Sequence, residues 1–149
     1  MAGTTMQVLG LQDLEAKLRQ LPQVAAKRIV RKAVKKGAAV VRKAARINAR
    51  AMVGGEMGHD ISKSLATGKG KALRDGFSVR VGPRSEDSEK FVTVSAAGRR
   101  SYVPAALEYG HDGVAAIPFF RAAWDSTKAI AVDVVASEIW KGIRAEAVK

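Results

Sequence analysis

The chain has 149 residues, 47% of them apolar but only 5% aromatic, which suits one domain whose core is built largely from Ala and Val. It has no cysteine, so disulfides, thiolate catalysis and sulfur-ligated zinc are excluded, and no run approaches the ~20 apolar residues of a membrane span, so a soluble protein made in the cytosol is expected. Lys and Arg total 26 against 14 Asp and Glu, a formal charge of +12 that favours polyanions or acidic protein surfaces as partners.

The first predicted element is a short helix opened by Gly10-Leu11-Gln12-Asp13-Leu14, with Leu11, Leu14, Leu18 and Leu21 three and four apart and Asp13 and Glu15 near its positive end. Pro22 ends it, because proline is tolerated best in a first turn, and a second helix is predicted from Pro22 to about Met52, with Gly54-Gly55 as its stop. At 1.5 Å per residue that helix is about 45 Å long. Ala26, Val30, Ala33, Gly37, Val40, Ala44, Ile47 and Ala51 form its expected apolar stripe, mostly small side chains at a period of about 3.5 residues. Arg28, Lys32, Lys35, Lys36, Arg42, Lys43, Arg46 and Arg50 crowd the other faces, and no acid intervenes between Lys17 and Arg50.

From Gly54 to Gly76 the sequence turns to Gly, Ser, Lys and Thr, with Gly68-Lys69-Gly70-Lys71 the most linker-like part, and reads as a mobile loop. Phe77-Ser78-Val79-Arg80-Val81 alternates as a half-buried strand does and ends at Gly82-Pro83. Phe91 to Ser95 is a second strand, after an acidic turn containing Glu86, Asp87 and Glu89, and the two are expected to pair as a hairpin. Tyr102 to Tyr109 supplies a third strand or a helical turn. A closing helix runs from Pro118 to about Ala147, with Phe120, Trp124, Ile130, Val134, Val135, Ile139 and Ile143 facing the core. The order implies one α+β domain over 1–149, with long N- and C-terminal helices on one face of a small antiparallel sheet. Its parts are helices at about 11–52, a flexible loop at about 54–76, a sheet at about 77–109 and a terminal helix at about 118–147.

Little in the sequence carries catalytic chemistry. The two histidines stand in matching triplets, Gly58-His59-Asp60 and Gly110-His111-Asp112, but glycine-bounded loops favour His and Asp for turn reasons, and a metal or general-base site needs further ligands at helical spacing. Gly68-Lys69-Gly70-Lys71 lacks the spacing of a phosphate-binding loop, and Ser85, Ser88 and Ser101 have no nucleophile context. No catalytic, metal or cofactor site is therefore expected. The cationic helix has more weight: its Lys and Arg can neutralise phosphates without reading bases, although a solvated face or an acidic partner subunit explains the same row.

Tyr102-Val103-Pro104-Ala105-Ala106-Leu107-Glu108-Tyr109-Gly110-His111, followed by Ile117-Pro118-Phe119-Phe120-Arg121-Ala122-Ala123-Trp124, resembles the signature of the phage tail-completion proteins of the lambdoid minor-tail type. That signature is a tyrosine-initiated segment ending in Glu-Tyr-Gly, then a Pro-Phe-Phe-Arg entry to the terminal helix. The opening Gly10-Leu11-Gln12-Asp13-Leu14, the break at Leu21-Pro22 and the long basic helix are similar to the family as well. The segment Met57 to Leu65 departs from it, lacking the Arg-Thr that usually precedes the shared Gly and Ser-Leu. The resemblance implies a non-enzymatic virion protein, made in the host cytoplasm, that forms a sixfold ring at the neck and touches head-closure, tail-terminator and tail-tube proteins. It implies no cofactor and no membrane. Subunit contacts are expected at Tyr102, Glu108, Tyr109, Pro118, Phe119, Phe120, Arg121 and Trp124, and non-specific proximity to channel DNA along the basic row. The competing reading is a free nucleic-acid-binding module that uses the Lys27–Arg50 helix.

Overall fold

In the computed structural model, which describes residues 11–74 and 76–149, helix α1 (Leu11–Arg19) stops before Pro22 and helix α2 (Gln23–Asn48) begins after it. Proline's fixed φ and missing N–H dictate that division. Gly10, read as the opening of the first helix, lies outside the described residues. A π-helical turn, Ala49–Val53, continues α2 and is closed by the Gly54 N–H donating to the Ala49 carbonyl. Gly54 then leaves helical space with φ 71°, a conformation that suits a residue without Cβ.

Helix α5 (Phe119–Ala147) lies antiparallel against α2 and forms the principal contact of the fold. The buried positions of α2 are Ala25, Ile29, Ala33, Gly37, Val41 and Ala45, followed by Ala49 of the π-turn, a strict repeat of four residues. Helix α5 buries Phe119, Ala123, Ala131, Ile139 and Ile143 on the same repeat, with half-buried Thr127 and Val135 as the intervening rungs. Each helix thus meets the other along an i±4 ridge. A period above 3.6 residues drifts around the helix in the right-handed sense, so the line of contact winds along the pair.

This corrects the expected stripe, which shares only Ala33 and Gly37 with the observed one. Ile47 is 57% exposed, and on α5 Trp124 and Ile130 are 49% and 54% exposed. The cause is proximity. A Cβ placed on Gly37 would stand 2.5 Å from Val135 Cγ2 and 3.0 Å from the Ala131 carbonyl oxygen, so the middle of the seam admits only small side chains.

Two clusters flank that waist. At one end Leu14 of α1 joins Ile29, Ala33, Ile139 and Ile143; at the other Ala45, Ala49, Phe119 and Ala123 meet Ile61, Leu65 and Phe91. Ile61 and Leu65 belong to the segment read as a mobile loop at 54–76, and here the structure overturns the expectation. Helix α3 (Gly55–Ser64) follows Gly54 directly, and Gly58 sits so close to the Ala49 carbonyl that a Cβ would stand 2.5 Å from its oxygen. The glycine serves close packing.

The expected single sheet at 77–109 is instead three two-stranded antiparallel ladders, and the fold remains α+β. Strand β1 (Leu65–Thr67) pairs with β4 (Val81–Pro83), and β2 (Lys71–Leu73) with β3 (Gly76–Ser78), so the four strands build one long hairpin. Gly68, Lys69 and Gly70 oppose Val79 and Arg80, three residues against two, the one-residue excess of a bulge, with the Gly68 N–H donating to the Arg80 carbonyl at 2.8 Å. Phe77 to Val81 therefore pairs upstream and not with Phe91 to Ser95. The acidic segment does not turn a hairpin because Ser85–Phe91 coils into a 3-10 helix that sinks Phe91 into the core. Strands β5 (Val92–Val94) and β6 (Arg100–Tyr102) pair with each other, and β6 runs into helix α4 (Val103–Tyr109).

Candidate functional site

Helix α5 begins with Pro118 as its N-cap, a residue with no side-chain oxygen, so the first backbone N–H groups of a 29-residue helix need another acceptor. Glu108 of α4 supplies it. Its carboxylate oxygens accept from the Phe120 N–H at 2.9 Å and the Arg121 N–H at 2.8 Å, and Arg121 Nε adds a third bond at 3.1 Å to the same carboxylate. Arg121 Nη2 donates to the Glu108 carbonyl at 2.7 Å, which also satisfies the end of α4. The carboxylate is 9% exposed and stands where the helix dipole is positive, whereas the guanidinium is 53% exposed and stacks 5.3 Å from the Tyr109 ring centre. The Ile117 N–H closes the intervening turn on the Leu107 carbonyl, and Asn48 Nδ2 donates to the Phe119 carbonyl at 3.1 Å, which ties this junction to the end of α2.

The basic row on α2 divides by environment. Arg28 is paired with Glu146 and Lys36 with Glu138, both on α5, so these two cations belong to the helix–helix contact. Hydrogen bonds from Lys36 and Lys141 hold the Glu138 carboxyl below its usual pKa; Lys149, with Arg28, does the same for Glu146. Arg46 points inward, with Nε and Nη2 on the Leu65 carbonyl at 3.1 and 2.7 Å. Burial, together with the charges of Arg42, Arg84 and Arg50, lowers its pKa. Lys32, Lys35, Lys43 and Arg50 are exposed and Arg42 half-buried, with no carboxylate partner among the described residues. Lys27, Arg31 and Lys69 border the same surface. The histidines stand apart: His59 is exposed on α3, so its triplet is helical and not a loop, and His111 is exposed where it bridges Val114.

Residues 12–110 match the family described as "Bacteriophage HK97-gp10, putative tail-component". The chain belongs to this family. It is a bacteriophage tail component, and its place is in the virion among other tail proteins. No curated protein and no solved structure matches the chain, and no helix among the described residues is long and apolar enough to cross a membrane.

The match ends at Gly110, so in this HK97-gp10-like chain α5, and with it Arg121, lies beyond the matched stretch, while Glu108, which caps α5, lies within it. The residues expected at subunit contacts fall into two groups. Glu108 and Phe119 are buried within the protomer and Tyr102, Pro118 and Phe120 are half-buried, whereas Tyr109, Arg121 and Trp124 are exposed. Residue type alone placed Glu108 and Arg121 at subunit contacts, whereas the structure pairs them with each other inside the protomer. What it missed is an apolar groove beside the pair, where Val79 and Val81 of the long hairpin meet Val34, Phe120, Trp124 and Val132 around a concavity of about 370 Å³. Phe77 to Val81 was read as a strand, but paired with Phe91 to Ser95, and its true partner arm was read as loop, which hid the groove.

Proposed function

We propose that this tail component is a non-catalytic structural subunit that completes the tail at the neck, closing a ring of six copies between the head-closure proteins and the tail tube. The match over residues 12–110 is the observation that carries the reading, and the number six comes from the resemblance of the Glu108 to Trp124 region to tail-completion proteins. The protomer's shape supports association. Its accessible surface is 10498 Å², whereas a compact monomer of its 15.8 kDa exposes about 7300 Å². The excess is more than the ten N-terminal residues could supply, since even a large aromatic side chain offers only about 150–250 Å². Long helices, a projecting hairpin and an open apolar groove leave faces that neighbouring copies can cover.

Native mass spectrometry of neck complexes taken from particles is the direct test, with six copies expected and a single copy fatal to the ring. Particles assembled without the chain should accumulate as unjoined heads and tails. Normal tailed particles would overturn the role.

A further inference from the structure

We infer that the outer face of α2, together with Lys69 of the hairpin bulge, is a docking surface for the phosphate backbone of duplex nucleic acid. Two shallow concavities lie along this face. One is lined by Val24 and by cations from Lys27 to Lys35; the other by Lys35, Lys36, Ala39 and Arg42 with Thr67, Gly68 and Lys69. Lys35 belongs to both, so the two form one band, and from Lys27 to Arg42 it is about 22 Å long at 1.5 Å per residue.

Charge complementarity chooses the partner. Arg28 and Lys36 are neutralised by α5 and Arg31 lies 5.5 Å from the Phe77 ring centre, which leaves Lys27, Lys32, Lys35, Arg42 and Lys69 without a carboxylate among the described residues. A protein partner would leave a different mark. Protein–protein interface cores are depleted in Lys and built on apolar and aromatic anchors, and apart from Val24 and Ala39 this band offers none. Duplex DNA presents one charge per about 1.7 Å of axis, a density that closely set lysines neutralise by releasing counterions and that needs no base contact. Lys69 of the bulge lines the same concavity as Arg42, which extends the band from the helix onto the hairpin. The inference concerns this surface alone and does not require the ring.

The test is fluorescence anisotropy of the full chain with two 20-bp duplexes of unrelated sequence. Equal affinities are expected, with log K falling against log salt at a slope near −4.5 for five phosphate contacts, about a 500-fold loss from 50 to 200 mM. A slope shallower than about −2, or a marked preference for one duplex, overturns the inference without recourse to variants. The triple variant Lys32→Glu/Lys35→Glu/Lys69→Glu should bind about 100-fold more weakly at 50 mM salt, and Lys63→Glu/Arg99→Glu/Arg144→Glu, with the same change in net charge, under about 5-fold more weakly. Equal losses would make the binding a matter of overall charge, and poly-glutamate binding as tightly as DNA would assign the band to an acidic protein. Either result overturns the inference while leaving the tail-completion reading standing.

Discussion

Replacing Glu108 with alanine removes an acceptor that the start of α5 has no other means to supply. The carboxylate takes two backbone N–H bonds at 2.9 and 2.8 Å and is 9% exposed, so truncation leaves two helix N-terminal donors facing a largely closed site. Hydrogen bonds to charged groups contribute about 1.5–3 kcal/mol each, a capping side chain about 1 and the favourable dipole about 0.3–1, and these overlap, so about 3 kcal/mol is expected for Glu108→Ala. Arg121→Ala removes a half-exposed partner and should cost about 1 kcal/mol. Glu108→Gln, which keeps one acceptor oxygen, should fall between them. In a chain of this length 1 kcal/mol shifts the melting temperature by about 2–4 °C, so the alanine variant should melt about 6–12 °C lower. The double variant should cost less than the two singles added, because the partners share one network. A fall below about 2 °C for Glu108→Ala, or a loss for Arg121→Ala as large, would refute the capping role.

Gly37→Ala should destabilise by about 1–2 kcal/mol despite alanine's better helix propensity, because the new methyl meets Val135 and the Ala131 carbonyl; adding Val135→Ala should recover part of the loss, read by urea denaturation. The pH dependence of the urea midpoint follows from Glu138 and Glu146. Their folded pKa values are depressed, so their contribution is present above the unfolded carboxylate range near about 4.3 and is lost as pH falls through the lower folded values. Glu138→Gln should therefore flatten the midpoint's decline below about pH 4.5; an unchanged slope would remove Glu138 from the account. Trp124→Asp, at a 49% exposed site on the groove, should leave the melting temperature of the isolated chain within about 2 °C yet block assembly into tailed particles, scored by complementation.

Punctuation was legible in the sequence, and packing register was not. Pro22 and Gly54 bound their helices as read, and α5 starts within one residue of its expected position. On α2, however, the pairs Ala25/Ala26, Ile29/Val30, Val40/Val41 and Ala44/Ala45 offer two apolar stripes of nearly equal hydrophobicity. Only the partner helix decides between them, and it selects by size: Ala123 and Ala131 go inside while Trp124 and Ile130 stay out. The same confusion produced the false loop at 54–76, where glycine permits close packing of α3 and a bulge in the hairpin. At the junction, Glu108 and Arg121 stood out in the sequence only as expected subunit contacts, and their pairing with each other comes from the fold. That Glu108 caps a helix needs the tertiary fold, since the turn closed by Ile117 is what sets α4 against the start of α5.

A seam that repeats every four residues on both helices makes the length of the rod adjustable in discrete increments. Deleting Val34 to Gly37 from α2 together with four residues from the facing part of α5 would return every remaining rung to an equivalent neighbour and shorten the molecule by about 6 Å. Deleting three from either helix would swing the far cluster to the wrong side of its partner. The hairpin, tied to α2 at Arg46 through Leu65 and at Arg31 through Phe77, would have to shorten by the same rung.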